Sequence, residues 1–142
     1  MTIQQLSVFI ENKSGTMLQI LKLLTKEGIQ LLAVNIADTV EYGIFRIICS
    51  EPAKAYLVLK ENNISVTLTE VFAVELEDKV GELANTLETF KEEGISITYL
   101  YSFLLNGKGI MIFRTNDADH TSEVIRKYGM KYVQEHDLYK LV

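Results

Sequence analysis

The sequence predicts an α+β protein built from two ferredoxin-like βαββαβ units in tandem, each with an antiparallel sheet and its helices on one face. Two observations indicate this fold: the chain repeats at an offset of 66 residues, and both copies contain the same order of apolar runs and turns. The glycines that align without a gap are Gly15, Gly28 and Gly43 with Gly81, Gly94 and Gly109. We expect the first unit to span residues 1–71 and the second 72–142.

The first half of each copy reads as a strand followed by a helix. Residues 6–10 form a short apolar run, and helical spacing of apolar side chains follows the break at residues 12–15. The predicted apolar face consists of Met17, Leu21 and Leu24 in copy one, with Ile20 beside them, and of Leu83, Leu87 and Phe90 in copy two. Gly28 and Gly94 are predicted to end these helices, because a C-terminal residue in the left-handed region favours glycine.

The second half of each copy reads as a hairpin, a helix and a last strand. The second strands are predicted at residues 31–37 and 97–103, with turns at 41–43 and 106–109. The second helices begin at Pro52 and Ala118 and end at Asn63 and Gly129. The last strands are predicted near residues 65–72 and 131–141, which completes a four-stranded sheet with right-handed crossovers in each copy.

The second strand of copy one is apolar on both faces, whereas a strand with one wet face alternates. One interpretation is that its second face is covered by the other copy or by another chain. The alternative is an ordinary strand with scattered exposed apolar residues.

Composition excludes several classes of protein. The 142 residues are 48% hydrophobic and 23% charged, with a net charge of −5, which argues against a nucleic-acid-binding surface. No apolar run approaches the roughly 20 residues that span a bilayer, and no signal peptide is recognisable, so we expect a cytoplasmic protein. Cys49 is the only cysteine and reads as a small buried hydrophobe rather than a nucleophile.

Signatures of catalysis are weak. The sequence contains no phosphate-binding loop, no dinucleotide motif and no zinc-protease or nucleophile-elbow motif, and residues 107–109 read as a hairpin turn. His120 is predicted on a solvated helix face and His136 with Asp137 at a surface bend. We therefore expect no metal, no cofactor and no catalytic residues.

The loop before the first helix is the strongest candidate for binding. A helix N-terminus presents unpaired N–H groups and a positive dipole end, which favour a carboxylate or another anion. Gly15 allows close approach to the backbone, while Asn12 and Ser14 offer side-chain hydrogen bonds. The alternative is that Asn12 or Ser14 simply caps the helix.

These loops resemble the Asp/Asn-x-Pro-Gly-x-Leu signature of the ACT domain, as residues 12–18 and 78–83. Glu27-Gly28-Ile29 and Glu93-Gly94-Ile95 resemble the entry into its second strand, and residues 42–46 resemble its third. The resemblance covers nearly the whole chain in two copies. It implies a free-standing regulatory protein that binds an amino acid between ACT units, without a catalytic domain.

The resemblance also implies which residues bind. In that family the loop before the first helix and the second strand of a partner unit supply the contacts. The implied ligand-binding residues of copy one are Asn12, Ser14, Gly15, Thr16, Met17, Leu18, Asn35, Ile36, Ala37 and Asp38. Those of copy two are Asp78, Val80, Gly81, Glu82, Leu83, Tyr99, Tyr101 and Ser102.

The two copies depart from the family pattern in different ways. Ser14 and Val80 replace the proline, and Asn12 in copy one corresponds to Asp78 in copy two. Because a carboxylate at 78 repels an anionic group, copy one is the better candidate for capturing a ligand carboxylate. Asp38 could then meet the ammonium group.

Three functional hypotheses follow. The first is a non-catalytic regulatory protein that binds an amino acid, acts as a homodimer and adjusts a metabolic enzyme. The second is a detached regulatory subunit that works through protein–protein contact without a ligand. The third is a hydrolase of acyl phosphates on the same fold, which is disfavoured because the first loops carry Lys13 and Lys79 in place of an arginine.

Overall fold

A computed structural model of the protein describes residues 1–11, 15–38 and 42–140. The chain divides into an N-terminal unit, Gln4–Thr69, and a C-terminal unit, in which Met1–Ile3 joins Glu70–Val142. In chain order the described elements are β1 (Ile3–Glu11), α1 (Thr16–Lys26), β2 (Leu31–Asp38), β3 (Tyr42–Cys49), α2 (Pro52–Glu61), β4 (Val66–Leu76), α3 (Glu82–Glu92), β5 (Ile97–Leu105), β6 (Lys108–Thr115), α4 (Ala118–Lys127) and α5 (Glu135–Lys140).

The N-terminal unit has the predicted α+β architecture. Its strands lie in the order β2-β3-β1-β4, with β3 antiparallel to both β1 and β2. Apolar side chains on alternate residues of the strands pack with α1 and α2 in one core, which includes Leu6, Val8, Ile20, Leu24, Phe45, Ile47, Ala55 and Leu59. Cys49 is buried in this core, as its sequence context predicts.

The C-terminal unit repeats this arrangement. β6 is antiparallel to both β4 and β5, and its core includes Phe72, Val74, Phe90, Met111, Phe113, Val124 and Ile125, with Met1 packed against it. The ring of Phe113 lies 5.5 Å from that of Phe72 and 5.2 Å from that of Phe90. The fold class predicted from the repeat is confirmed. The predicted ranges 1–71 and 72–142 meet inside β4, and that boundary stays a prediction.

The predicted helix and turn endings agree with the backbone. Gly28 and Gly94 have φ of 71° and 74°, and Asn63 and Gly129 have φ of 60° and 62°, so matching positions of the two copies adopt the same left-handed geometry. Asn106 and Gly107 form a two-residue turn with positive φ between β5 and β6. Residue 41, in the corresponding turn of copy one, lies outside the described residues.

The apolar stripe predicted for the first helices is partly wrong. Leu24 and Phe90 are buried, but Met17 and Leu83 are exposed. The buried residue of the first two turns of α1 is Ile20. Met17 lies in the first turn of α1 and Leu83 in the first turn of α3, and these first turns do not pack into the buried core.

The last strand predicted for residues 131–141 is wrong over most of its length. Only a short segment pairs with β4: an isolated bridge joins Tyr132 to Val74, and the N–H of Val133 donates to the carbonyl of Ala73 at 2.8 Å. This segment occupies the place of a fourth strand in the C-terminal unit.

The chain then turns into α5, so the surface bend predicted for His136 and Asp137 is also wrong. Glu135 and Asp137 lie in the first turn and Lys140 in the last, which is the charge order that a helix dipole favours. Leu138 is fully buried. Residue 141, the end of the predicted strand, lies outside the described residues.

His120 is more than a solvated side chain. Its Nε2 donates to the carbonyl oxygen of Glu93 at 2.6 Å, which links α4 to the end of α3. Lys127 and the hydroxyl of Tyr128 meet the carboxylate of Glu93 at 2.9 and 2.6 Å. The hydrogen bond to the Glu93 carbonyl raises the pKa of His120, and the bonds from Tyr128 and Lys127 lower the pKa of Glu93.

Among the described residues, no helix is both long and apolar enough to cross a membrane.

Replacement of Phe90 by alanine should destabilise the protein by about 3–5 kcal/mol, because the ring is buried against Phe113. Urea denaturation measures this loss. Leu57→Ala on α2 is the control, since 58% of that side chain is exposed and its loss should cost no more than about 0.5 kcal/mol. Equal losses for the two variants would contradict the described core.

The raised pKa of His120 makes stability depend on pH in a defined direction. The contribution is fully present below the unfolded pKa of about 6.5 and is lost as the pH rises through the higher folded pKa. Urea denaturation at a series of pH values should show this loss in the native chain and in His136→Gln. The His120→Gln variant should lack it, and an unchanged pH profile in that variant would contradict the assignment.

Candidate ligand-binding site

The first helix of each unit starts in the same way. Gly15 and Gly81 are the N-cap residues, with φ of 91° and 86°, and neither helix start has a side-chain cap. Among the residues that the structure describes, and apart from the adjacent residues of the chain, no atom lies within 4 Å of the position that a Cβ would take at either glycine, which leaves this side of the backbone open. Asn12 and Ser14, which belong to the predicted binding loop, lie outside the described residues.

The two helix starts differ in charge. α1 has no acidic residue in its first turn, whereas α3 has Glu82 there. The positive end of the α1 dipole is therefore uncompensated by a first-turn carboxylate, which favours an anionic ligand group. In α3 the same end already faces a carboxylate.

A cavity of about 320 Å³ lies beside the start of α3 in the C-terminal unit. It brings together four of the residues predicted for copy two, Asp78, Glu82, Leu83 and Ser102. Sequence reasoning missed the other lining residues, Leu76, Glu77, Lys79, Phe103, Leu104 and Gly109. Val80 and Gly81 are exposed beside the cavity without lining it.

The two-residue period of strands divides the predicted residues of β5 between the two faces of the sheet. Ser102 pairs with Met111, whose side chain belongs to the core beneath the helices. Tyr99 and Tyr101 point to the opposite face, because successive side chains alternate between faces. The family pattern specifies a strand but not its face, so the sequence alone could not separate these residues.

The same alternation divides the residues predicted on β2. Ile36 pairs with Phe45 in the core, so Ile36 and Asp38 lie on the helix side of the sheet. Asn35 and Ala37 lie on the opposite face, where Asn35 accepts a hydrogen bond from Arg46 at 3.1 Å.

In the N-terminal unit a cavity of about 390 Å³ lies along α1. It is lined by Gly15, Leu18, Gln19, Lys22, Leu23 and Lys26, so it includes two predicted residues and no residue of β2. Thr16 and Met17 also do not line it. Two lysines flank an apolar floor at this surface.

A lysine organises the charges beside the start of α3. The Nζ of Lys79 lies 3.0 Å from Glu77 and 3.7 Å from Glu82. The hydrogen bond with Lys79 lowers the pKa of Glu77, and the same bond raises the pKa of Lys79. No group of three or more histidine, cysteine, aspartate and glutamate side chains in the described part of the chain could hold a metal ion.

The two units also diverge on the sheet face away from the helices. In copy one Phe9 and Tyr42 stack with ring centroids 4.6 Å apart. The corresponding residues of copy two are Glu75 and Lys108, which form an ion pair at 3.9 Å. Both copies therefore have a cross-strand pair of contacting side chains at these positions, which is aromatic in copy one and charged in copy two.

The duplicated fold and the glycine-led helix starts define a tandem of two small α+β domains. The family model described as an ACT domain pair matches residues 1–142, and the chain belongs to this family. The resemblance drawn from the loop motifs is therefore confirmed.

Solved structures agree with this assignment. Protein BT0572 from Bacteroides thetaiotaomicron is 38% identical and has a TM-score of 0.93. The match covers 99% of this chain and 97% of that one. The ligand-free regulatory subunit of aspartate kinase from Thermus thermophilus is 13% identical with a TM-score of 0.62, over 87% of this chain and 88% of that one. The corresponding subunit from Thermus flavus is 12% identical with a TM-score of 0.61, over 96% and 92%.

At their low identity, the two kinase subunits show a shared fold. No curated protein is significantly similar to the chain in sequence.

Replacement of Lys79 by methionine should raise the pKa of Glu77 towards its ordinary value, because the hydrogen bond and the positive charge are both removed. Carbon-13 NMR titration of the side-chain carboxyl group measures this change. Lys108→Met, which removes the ion-pair partner of Glu75, is the control and should leave the pKa of Glu77 unchanged. An unchanged Glu77 titration in Lys79→Met would contradict the described ion pair.

Proposed function

We propose that this protein is a non-catalytic, cytoplasmic regulatory protein that binds an amino acid at the N-terminal end of α1. The observation that carries the proposal is the start of α1, where a left-handed glycine leaves the backbone open and no first-turn carboxylate opposes an anion. The N–H groups of this turn suit the ligand carboxylate. Membership of the ACT domain pair family supports ligand binding by such a module.

The proposed ligand contacts of copy one come from the loop and from a second strand. Asp38 is exposed on the helix side of β2, and its carboxylate suits the ligand ammonium group. Asn12 and Ser14 are proposed to contribute side-chain hydrogen bonds. Because the α1 cavity includes no residue of β2, we propose that the strand contacts come from another unit.

A homodimer is the proposed assembly. β2 is the outer strand of the N-terminal unit, and Val34 and Ile36 are 51% and 41% exposed on it. An outer strand with exposed apolar side chains suits pairing with another chain. This would place strand residues of one protomer near the loop of its partner.

The second unit is proposed to differ from the first in what it binds. Asp78, Glu77 and Glu82 line the cavity at the start of α3, and they disfavour a ligand carboxylate there. An ammonium group suits that cavity better. The two copies would therefore respond to different groups, or only copy one would take a carboxylate.

Regulation is proposed to act on a metabolic enzyme. The structural neighbours from Thermus are regulatory subunits of aspartate kinase, which supports a regulatory role for this chain. A ligand that binds one state of the assembly more tightly would shift the population of that state, and so the activity of the enzyme.

A second candidate is a detached regulatory subunit that acts through protein–protein contact without a ligand. The exposed apolar residues Val34 and Ile36 favour this alternative as well. Ligand binding separates the two hypotheses, because only the first requires it.

A thermal-shift screen against each of the twenty amino acids tests the proposal. A ligand at about 100 times its Kd should add about 2.7 kcal/mol to the free energy of unfolding and raise Tm by several degrees. Absence of a shift with every amino acid would reject amino-acid binding and favour the second candidate.

The Gly15→Leu variant should abolish the shift, since a side chain would occupy the open approach to the α1 backbone. Gly28→Leu is a matched control, because Gly28 also has positive φ and open space around it but ends the helix. Each substitution should cost about 1–2 kcal/mol in backbone strain. Retained binding in Gly15→Leu would move the site away from this helix start.

A further inference from the structure

The C-terminal unit contains a second cavity that the proposed function does not use. It has a volume of about 350 Å³ and lies between α3 and the segment that follows α4. α3 contributes Glu82, Asn85, Thr86 and Thr89, and the remaining lining residues are Val74, Glu75, Glu77, Tyr128, Gly129, Met130 and Lys131.

The wall supplied by α3 is a polar stripe. Positions 82, 85, 86 and 89 follow the spacing that brings residues to one face of a helix. The hydroxyls of Thr86 and Thr89 donate to the carbonyls of Glu82 and Asn85 at 3.0 and 3.1 Å. Each hydroxyl oxygen keeps lone pairs that can accept a hydrogen bond from a ligand.

Both ends of the cavity are held in place by side-chain interactions. At one end Lys79 bridges Glu77 and Glu82. At the other end the hydroxyl of Tyr128 donates to Glu93, the C-cap of α3, at 2.6 Å. A cavity whose walls are fixed before binding loses less side-chain entropy on binding.

The charges of the lining suit a zwitterion. Two carboxylates, from Glu77 and Glu82, and one ammonium group, from Lys131, line the cavity, while the carboxylate of Glu75 pairs with Lys108 on the other face of the sheet. The hydrogen bond with Lys79 and the charge of Lys79 lower the pKa of Glu77, and the charge of Lys131 lowers it to a smaller extent. A ligand could place its ammonium group against the glutamates and its carboxylate against Lys131.

The first copy shows that the fold does not require this polar lining. The residues that correspond to Thr86, Thr89 and Lys131 in copy one are Ile20, Leu23 and Ser65. Ile20 is fully buried in the core of the N-terminal unit. The hydroxyls at positions 86 and 89 and the positive charge at position 131 are therefore specific to the second copy.

We propose that this cavity is a second small-molecule site, for a small zwitterion that carries one ammonium group and one carboxylate. It goes beyond the proposed function, because it does not involve α1 or the loop before it. It shares Glu77 and Glu82 with the cavity beside β5, so those two residues form the wall between the two spaces.

Nitrogen-15 NMR of the whole chain tests the site directly. The probes are the twenty amino acids one at a time, succinate as a dicarboxylate and 1,4-diaminobutane as a diamine. At least one amino acid should shift the amide signals of Asn85, Thr89 and Gly129, and should do so equally in Gly15→Leu. Succinate and the diamine should have weaker effects.

Three outcomes overturn the proposal. No probe moves those amides, the response disappears in Gly15→Leu, or the diamine acts as strongly as the best amino acid. If the response disappears in Gly15→Leu, the proposed site at α1 is unaffected by that result. If only the response at α1 is lost in that variant, the second site is unaffected.

Two variants test the lining itself. Lys131→Met removes the partner of the ligand carboxylate, and Thr86→Ile with Thr89→Leu installs the residues of copy one. Each should weaken binding of the responding amino acid at least tenfold, while Lys91→Met, at the end of the same helix and outside the cavity, should not. Because the side chain of Lys131 is exposed, its variant should fold even if the double variant does not. Unchanged affinity in Lys131→Met would overturn the role given to this lysine and with it the zwitterion site.

Discussion

Helix packing on one face of each sheet determines where every candidate ligand contact can lie. Leu6 and Val8 on β1 pair with Ile47 and Phe45 on β3, and all four side chains lie on the face of the N-terminal sheet that packs against the helices. Once that face is fixed, the direction of each neighbouring side chain follows from the two-residue period of the strand. Asp38 is therefore on the helix side and Asn35 on the opposite side, although both lie near the end of β2.

The parts of the fold that depend on local backbone geometry could be predicted from the sequence. Left-handed glycine or asparagine at positions 28, 63, 94 and 129 ends a helix for a steric reason, so the residue type alone is informative. Pro52 begins a helix for a similarly local reason. The repeat strengthened each of these predictions, because two independent sequences had to satisfy the same geometry.

The parts of the fold that depend on tertiary context could not be predicted from the sequence. Residues 131–140 resemble the last strand of copy one by position, but only Tyr132 finds a ladder partner before α5 begins. The candidate site shows the same limit. Ser102 lines the cavity beside α3 and Tyr101 does not, and their pairing with Met111 and Ile112 places the two side chains on opposite faces of the sheet. Glu77 and Lys79 were missed because charged loop residues read as solvated in the sequence.

The membership of Met1–Ile3 in the C-terminal unit has a consequence for the folding rate. Ile3 is buried, and Met1 packs against the core that Phe72 and Phe113 help to build. The core that these residues join lies some seventy residues further along the chain. Contacts of such long sequence separation slow folding, because the loop must close before they form. We therefore expect the contacts of Met1 and Ile3 to form late in folding.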